Sequence, residues 1–467
     1  MSRIMYTLVA VFQFGTSLIC QSQGILNDST IKQLRIGIEG FRNRYHSPSI
    51  VVAIVHDKEI IFTESLGYTD VDNKIPATIE SKYPILSITK TFTATMFMQL
   101  VERKIIGLDD NVNKYVPEYK GDLNSRDKRP TTLIQLATHT SGLPRNTPAD
   151  INFAKQVDKW MFGSANYTTL EPANKNELLQ SLKFIKKEYP AYELLSYGDR
   201  HYSNLGYSLL GIALEKATKK DYKDYVLTNI CKPLQMTNSG FDTENLQSNV
   251  LAKGYYYNDS LNDFIKTPVF KSNSAIYAGG MYSTATDLAK YISFQFDNSS
   301  QAEKILSKEN RSMMYAFKIG WKPLYPLVLH EGAMLGYRSQ VAFIPDLKIG
   351  WVILTNTTDF EFSKFNEYIG KLIIPVYESK PLVDLIKYIG TYRLSGGYDS
   401  LRIYLKNENL YSSYLKDTLP ESPLISLGNN KFKAQARGNY NVSYEFIEDE
   451  TTAINVLNMG QLMWIKQ

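Results

Sequence analysis

Histidine and cysteine are scarce in this chain of 467 residues, and their scarcity removes whole classes of function. The five histidines are scattered without ligand spacing, so no metal centre and no other cofactor is expected. Of the two cysteines, Cys20 falls in a segment expected to be removed, which leaves Cys231 alone and argues against a structural disulfide. The net charge of +5 is spread without a basic run, so neither nucleic acid nor a membrane surface is indicated as a partner. Past the amino-terminal segment no apolar run reaches membrane-spanning length, and a soluble mature chain is expected. Residues 1–23 have the form of a signal peptide: Arg3, a mostly apolar run over 4–19, then Cys20-Gln21-Ser22-Gln23. A secreted or periplasmic location follows as the expectation. Lipid attachment at Cys20 is the lesser alternative, because Ile19 is bulky where a lipoprotein signal wants a small residue.

What is present is a set of three motifs in one order at domain-scale spacing: Ser87-Ile88-Thr89-Lys90, Tyr202-Ser203-Asn204 and His330-Glu331-Gly332. Each alone is weak. Ser29 to Lys32, Ser125 to Lys128 and Ser413 to Lys416 repeat the first spacing, Tyr256-Tyr257-Asn258 repeats the second, and Lys318-Ile319-Gly320 and Lys348-Ile349-Gly350 imitate a lysine form of the third. Context favours Ser87. Phe92, Met96, Phe97, Leu100 and Val101 recur at helical spacing behind it, which puts Ser87 near a helix N-terminus. Free N–H groups and the helix dipole favour negative charge there, and a step of three residues brings Lys90 onto the same face. A lysine buried in a cleft wall loses its charge and becomes a base. The bland alternative is a capping serine beside a solvated lysine, and it applies in full to the copies at 29, 125 and 413.

Five blocks carry a resemblance: residues 83–119, LIQLATHTSGLP at 133–144, HYSNLGYSLLG at 201–211, AGGMYSTATDLAKY at 278–291 and HEGAMLGYRS at 330–339. Together they resemble the serine β-lactamase and penicillin-binding protein superfamily, and more closely its branch of class C β-lactamases, D-alanyl-D-alanine carboxypeptidases, D-aminopeptidases and related esterases. The resemblance spans about residues 34–376. It implies Ser87 as acylated nucleophile, Lys90 as its proton acceptor or electrostatic partner, and Tyr202 as proton shuttle, with the choice of base between Lys90 and Tyr202 left open. It also implies that Asn204 bonds Lys90 and substrate, that His330 replaces a lysine common in relatives, and that the backbone N–H groups of Ser87 and Ala333 form the oxyanion hole. Gly332 is expected to let substrate lie against the strand. His139 lies in a turn-like block and is not expected to act in catalysis.

The implied architecture is α/β, of the α+β kind: a mostly antiparallel sheet flanked by helices, with a helical lobe holding Ser87 and a small C-terminal β-barrel. Residues 50–55 and 59–64 read as a hairpin opening the sheet, and residues 328–330, 340–344 and 350–355 as strands completing it before a helix over 362–374. Residues 317–321 are expected to form the strand before the His330 motif. Residues 147–187 read as a polar stretch covering one side of the cleft. The expected organisation is a signal peptide at 1–23, a catalytic domain at 24–379 and the barrel at 380–467, opened by Tyr388-Ile389-Gly390-Thr391-Tyr392.

The expected activity is a secreted serine hydrolase that forms an acyl-enzyme on an amide or ester, a D-amino-acid peptide or a small ester. A β-lactamase or a penicillin-binding D-alanyl-D-alanine carboxypeptidase is the alternative within the class. A catalytically silent cell-wall peptide binder is the alternative outside it. Its partner is a small-molecule or peptide substrate; nothing in the sequence sets an oligomeric state. One departure stands out: Glu331 occupies a position where relatives carry Thr or Ser, and if it faces the cleft it repels a substrate carboxylate.

Overall fold

The computed structural model describes residues 26–467 apart from 190–200, 242, 244–245, 247–249, 325, 378–384, 396–399, 407–408, 415–420, 429, 436–440, 449–453 and 460–461. The expected signal peptide, with Cys20, lies outside the described residues. The chain divides into two compact units, Met1–Tyr377 and Glu378–Gln467.

The first unit opens with helix α1 (Asp28–Arg44), whose N-cap Asn27 accepts a hydrogen bond from the Thr30 N–H at 2.9 Å. Strands β1 (Ser49–His56) and β2 (Glu59–Asp70) follow as the expected hairpin, and β3 (Ile75–Pro76) extends its edge. Helix α2 (Thr89–Glu102) comes next, then α3 (Ile151–Met161), α4 (Asn204–Thr218) and α5 (Ala285–Phe296). The sheet is completed by β4 (Lys322–Leu324), β5 (Leu327–Met334), β6 (Tyr337–Ile344) and β7 (Ile349–Thr355), before helix α6 (Phe362–Tyr377). Among the described residues this is a seven-stranded antiparallel sheet in the order β4-β5-β6-β7-β1-β2-β3. The first hairpin and the last strands thus meet at the centre, with Ile50 opposite Thr355 and His56 opposite Ile349.

Because strand side chains alternate, the sheet has two distinct faces. Val51, Ala53, Val55, Val341, Phe343, Val352 and Leu354 join the core shared with α2, α4 and α5. Ile50, Val52, Ile54, Leu329, Ala342, Trp351 and Ile353 pack instead with residues of α1 and α6. Both cores are needed to cover a sheet this wide.

Helix α2 is not amphipathic. Every residue from Thr89 to Leu100 is buried, so its polar side chains must be satisfied internally. Its threonines find partners: the Thr93 hydroxyl donates to the Tyr277 carbonyl at 2.6 Å, Thr95 to the Thr91 carbonyl at 2.9 Å, and Thr89 Oγ1 accepts from the Met281 N–H at 3.1 Å. Two expectations fail. Residues 317–321 form a turn in which Lys318 and Gly320 take φ of +58° and +75°, and the strand begins at Lys322. Gly320 is required there, since a Cβ would stand 2.4 Å from that of Ala94 on α2. The stretch read as polar contains α3, which is amphipathic, with Phe153, Ala154, Val157, Trp160 and Met161 along one side.

The second unit is a closed barrel of eight strands among the described residues, from Gly390–Leu394 to Leu462–Lys466, closed by antiparallel pairing of its first and last strands. Tyr392, Leu401, Ile403, Phe432, Phe446 and Trp464 fill it. The expected C-terminal barrel is present, with its first strand starting at Gly390.

Candidate active site

Ser87 sits in a single 3-10 turn, Leu86–Ile88, immediately before α2. Leu86 has φ of +52°, a left-handed conformation that costs a non-glycine residue about 1–2 kcal/mol. Its neighbours hold it. The Ile85 N–H donates to the Met281 carbonyl at 2.9 Å, and the Ser339 hydroxyl donates to the Ile85 carbonyl at 2.9 Å. Gly332 on β5 closes the clamp, because a Cβ there would lie 2.4 Å from the Ile85 oxygen. The close neighbour that excludes a side chain at Gly332 is therefore the serine turn itself rather than a bound substrate.

One turn on from Ser87, Lys90 is fully buried. Its Nζ lies 3.0 Å from Ser87 Oγ, 2.9 Å from Asn204 Oδ1 and 2.7 Å from the Ala278 carbonyl. Burial first, then the charges of Arg145 and Lys322, push the amine well below its ordinary range. A neutral amine has two N–H donors and one lone pair. Nζ donates toward all three oxygens, and on losing a proton it keeps two donors for Asn204 and Ala278 and gains a lone pair for the Ser87 hydroxyl.

The second motif arrives on the N-terminus of α4. Ser203 caps it, accepting from the Gly206 N–H at 2.8 Å and donating to the Pro144 carbonyl at 2.6 Å. Asn204 is fixed through its backbone N–H to the Arg145 carbonyl at 2.7 Å and through Nδ2 to Asn146 Oδ1 at 2.9 Å. The Tyr202 ring lies 4.8 Å from Lys90 Nζ, and the Arg145 guanidinium and Lys322 Nζ lie 5.1 and 5.7 Å from the same ring centroid. His139 packs against Tyr202 with ring centroids 4.3 Å apart, and its Nδ1 accepts from the Ser203 N–H at 3.1 Å. Burial first, with the cations of Lys322 and Arg145 nearby, holds His139 well below the usual imidazole range, and its Nδ1 is free to accept from Ser203. A histidine with no expected part in catalysis is thus a wall of the tyrosine's socket.

The third motif splits. His330 is buried on the α2 side of β5, and burial with the charges of Lys90 and Lys322 pushes it down to about 3. Its Nδ1 lies 2.9 Å from the Glu331 carbonyl, so that nitrogen carries the proton and Nε2 is the acceptor. Where relatives place a lysine, this chain places a neutral group. Glu331 turns the other way, on the face that carries Leu329, Ala342 and Ile344, and accepts from Gln340 Nε2 at 3.1 Å. The expectation that its carboxylate meets substrate is overturned by strand alternation. Ala333 lines the same cavity as Ser87 and Asn204.

Three further contributors escaped the sequence reading: Arg145, Lys322 and the Ala278 carbonyl. Arg145 follows directly on the 133–144 block, and Ala278 opens another, so block adjacency was a usable signal for both. Lys322 gave none, being one of 52 basic residues and far from Tyr202 along the chain. The decoys are occupied elsewhere. Ser125 donates to the Gly121 carbonyl at 2.5 Å and Lys348 pairs with Asp57 at 3.4 Å. Among the described residues no group of His, Cys, Asp or Glu stands at metal-binding spacing, and no helix is long and apolar enough to cross a membrane. Cys231 is a buried free thiol, pushed up to about 12 by burial and Asp287.

A half-buried serine beside a fully buried lysine at a helix start, next to a mostly antiparallel sheet, defines the serine β-lactamase and penicillin-binding protein class. The Beta-lactamase family model matches residues 29–372, and the chain belongs to that family, whose members are generally serine hydrolases. It is 31% identical over 350 residues to "Beta-lactamase-like protein 2" of Dictyostelium discoideum, an alignment covering 71% of this chain and 60% of that one. It is 27% identical over 359 residues to "Protein flp" of Staphylococcus aureus, covering 75% and 66%. The chain therefore spans less than two thirds of either relative. Among solved structures it resembles the octameric penicillin-binding protein homologue from Pyrococcus abyssi, with TM-score 0.62, 26% identity and coverage of 93% and 100%. A class C β-lactamase mutant shares the fold at TM-score 0.59 and 20% identity, covering 74% and 97%.

Proposed function

We propose that this protein is a secreted serine hydrolase that forms an acyl-enzyme on an amide or ester, with Ser87 as nucleophile. The environment of Lys90 carries this reading: a fully buried amine, pushed well below its ordinary range, held by Asn204 and Ala278 with its nitrogen 3.0 Å from Ser87 Oγ. Lys90 takes the hydroxyl proton as Ser87 attacks the carbonyl carbon, and the backbone N–H groups of Ser87 and Ala333 receive the oxyanion. Tyr202 then passes a proton to the leaving group and helps activate the deacylating water. Asn204 holds Lys90 and substrate, and His139 fixes the face of the Tyr202 ring.

The substrate read from the sequence, a D-amino-acid peptide or a small ester, belongs to the same proposal, as does export directed by residues 1–23. A second reading, hydrolysis of β-lactams or of D-alanyl-D-alanine peptides, is favoured by one observation. Arg145 and Lys322 place positive charge beside Tyr202, where a substrate carboxylate would gain from it. The test is labelling of the purified protein with a fluorophosphonate, followed by peptide mass spectrometry. An adduct on Ser87 that disappears in Ser87→Ala is expected, with turnover falling roughly 10³-fold or more. An adduct elsewhere, or none, returns the chain to the class of silent binding proteins.

A further inference from the structure

A cavity of about 530 Å³ opens beside Ser87, within the range of sites that bury a small organic ligand. Its floor is hydrocarbon: Leu178, Leu205 and Met281 are each no more than 2% exposed. One wall is α3, which contributes Phe153, Ala154 and Val157. That helix has an apolar side and yet no buried residue, and ring contacts tie it down near both ends, Phe153 to Phe270 at 6.1 Å and Trp160 to Tyr256 at 5.9 Å. The apolar side of an amphipathic helix ordinarily covers a core. Here much of it covers the cavity.

Charge in the lining is muted. Asp150 accepts from the Ala173 N–H at 3.0 Å and burial raises its carboxyl above the usual range, while Lys271 is paired with Glu171 at 2.7 Å. Asp158 is exposed. Uncharged polar groups remain in the lining: Ser87 and Asn204, Asn146 bonded to Asn204 at 2.9 Å, and the serines Ser208, Ser272 and Ser274. Tyr202 and Lys322 do not line the cavity, so it lies apart from the group proposed to protonate the leaving group.

We propose that this cavity is the acyl pocket of the enzyme and that its substrates are esters or amides of apolar, medium-chain carboxylic acids. The proposal rests on the serine hydrolase reading. The acyl carbonyl meets Ser87, the chain runs beneath α3, and the alcohol or amine departs on the Tyr202 side. The Ser87 Oγ–acyl bond forms as the acyl–leaving-group bond breaks, the serine proton ends on the leaving group, and water later returns the free acid.

The test is a series of p-nitrophenyl esters from acetate to octanoate, with the full chain. Each buried methylene should raise kcat/KM by roughly twofold to fourfold, so octanoate, about six methylenes longer, should exceed acetate by at least about sixtyfold. Ala154→Trp, which fills the pocket from an exposed helix, and Val157→Asp, which charges it, should each lower the octanoate-to-acetate ratio by about tenfold or more. Turnover with a flat or falling series overturns the pocket and leaves the hydrolase reading intact. Should no ester be turned over, calorimetric titration of Ser87→Ala with sodium octanoate and sodium butyrate still decides. Octanoate binding at least about tenfold tighter upholds the pocket while the hydrolase reading falls, and absence of binding removes both.

Discussion

The two faces of the central sheet are built to different rules. On the α2 side, polar groups are buried in number, Lys90, Thr93, Thr95 and His330 among them, each with an identified partner. On the side of α1 and α6 the core is almost wholly hydrocarbon, Phe365, Ile369 and Ile373 packing on Val52, Ile54 and Ile353. A buried polar group without a partner costs about 1–3 kcal/mol, so the first face must specify hydrogen bonds, whereas the second needs only volume and fit. Chemistry is gathered on the first face, which also carries the larger apolar core, whereas the second face serves mainly packing. His330 and Glu331, adjacent in sequence, fall on opposite sides of that division.

The sharpest way to separate the faces is a pair of substitutions. Lys90→Met removes the proposed base while keeping an unbranched buried side chain, and turnover should fall roughly 10³-fold or more with the thermal midpoint little changed. Phe365→Ala, in the other core, should cost about 3–5 kcal/mol of stability in urea unfolding, while the protein that remains folded is acylated at the normal rate. If Phe365→Ala impaired chemistry in folded protein, the faces would not be separable.

Lys322→Met probes the electrostatics of the α2 side. The Lys322 charge lowers the Lys90 pKa, so its removal raises that pKa and moves the rising limb of the rate profile to higher pH. At neutral pH kcat/KM should fall by roughly threefold to tenfold, more for an anionic substrate than for a neutral ester. His330 contributes no transition between about pH 5 and 8, the range of an ordinary imidazole, because its own titration lies at about 3. An unchanged profile in Lys322→Met would mean that burial alone sets the state of Lys90.

Much of the site was legible because its parts lie in short local blocks. Ser87 and Lys90 are one helical turn apart, which local spacing carried, whereas Tyr202 was reached through the family resemblance and lies just before the start of α4. The hairpin from Ser49 and the closing strands were legible through alternation and apolar runs. What failed was whatever depended on distant packing. The turn at 317–321 is set by α2 pressing on Gly320, and the apolar side of α3 shows its purpose only against Leu178 and Leu205. Lys322 reaches Tyr202 across strands and helices that no spacing rule connects. Gly332 was singled out for a bound substrate, and the atoms that stand close to it are those of Ser339 and Ile85.

The smallest expected effect is the most exacting for the two-face division. Glu331→Thr introduces the residue type found in relatives and removes a negative charge one position from His330. Were the carboxylate in the cleft, penicillin acylation would rise at least about tenfold relative to turnover of a neutral ester, since repulsion at about 4 Å is of order 1–4 kcal/mol. Its bond to Gln340 and its place on the Leu329 face predict otherwise. The ratio of the two rates should stay within about twofold. The cost should appear in stability, because Gln340 Nε2 loses its acceptor while Gln340 Oε1 already lacks a partner among the described residues. That loss should be about 0.5–1.5 kcal/mol, partly recovered in Glu331→Gln, which keeps a side-chain oxygen for Gln340. A change of about tenfold in the charged-to-neutral ratio would place Glu331 in electrical contact with substrate, and strand alternation would no longer explain where the chemistry ends.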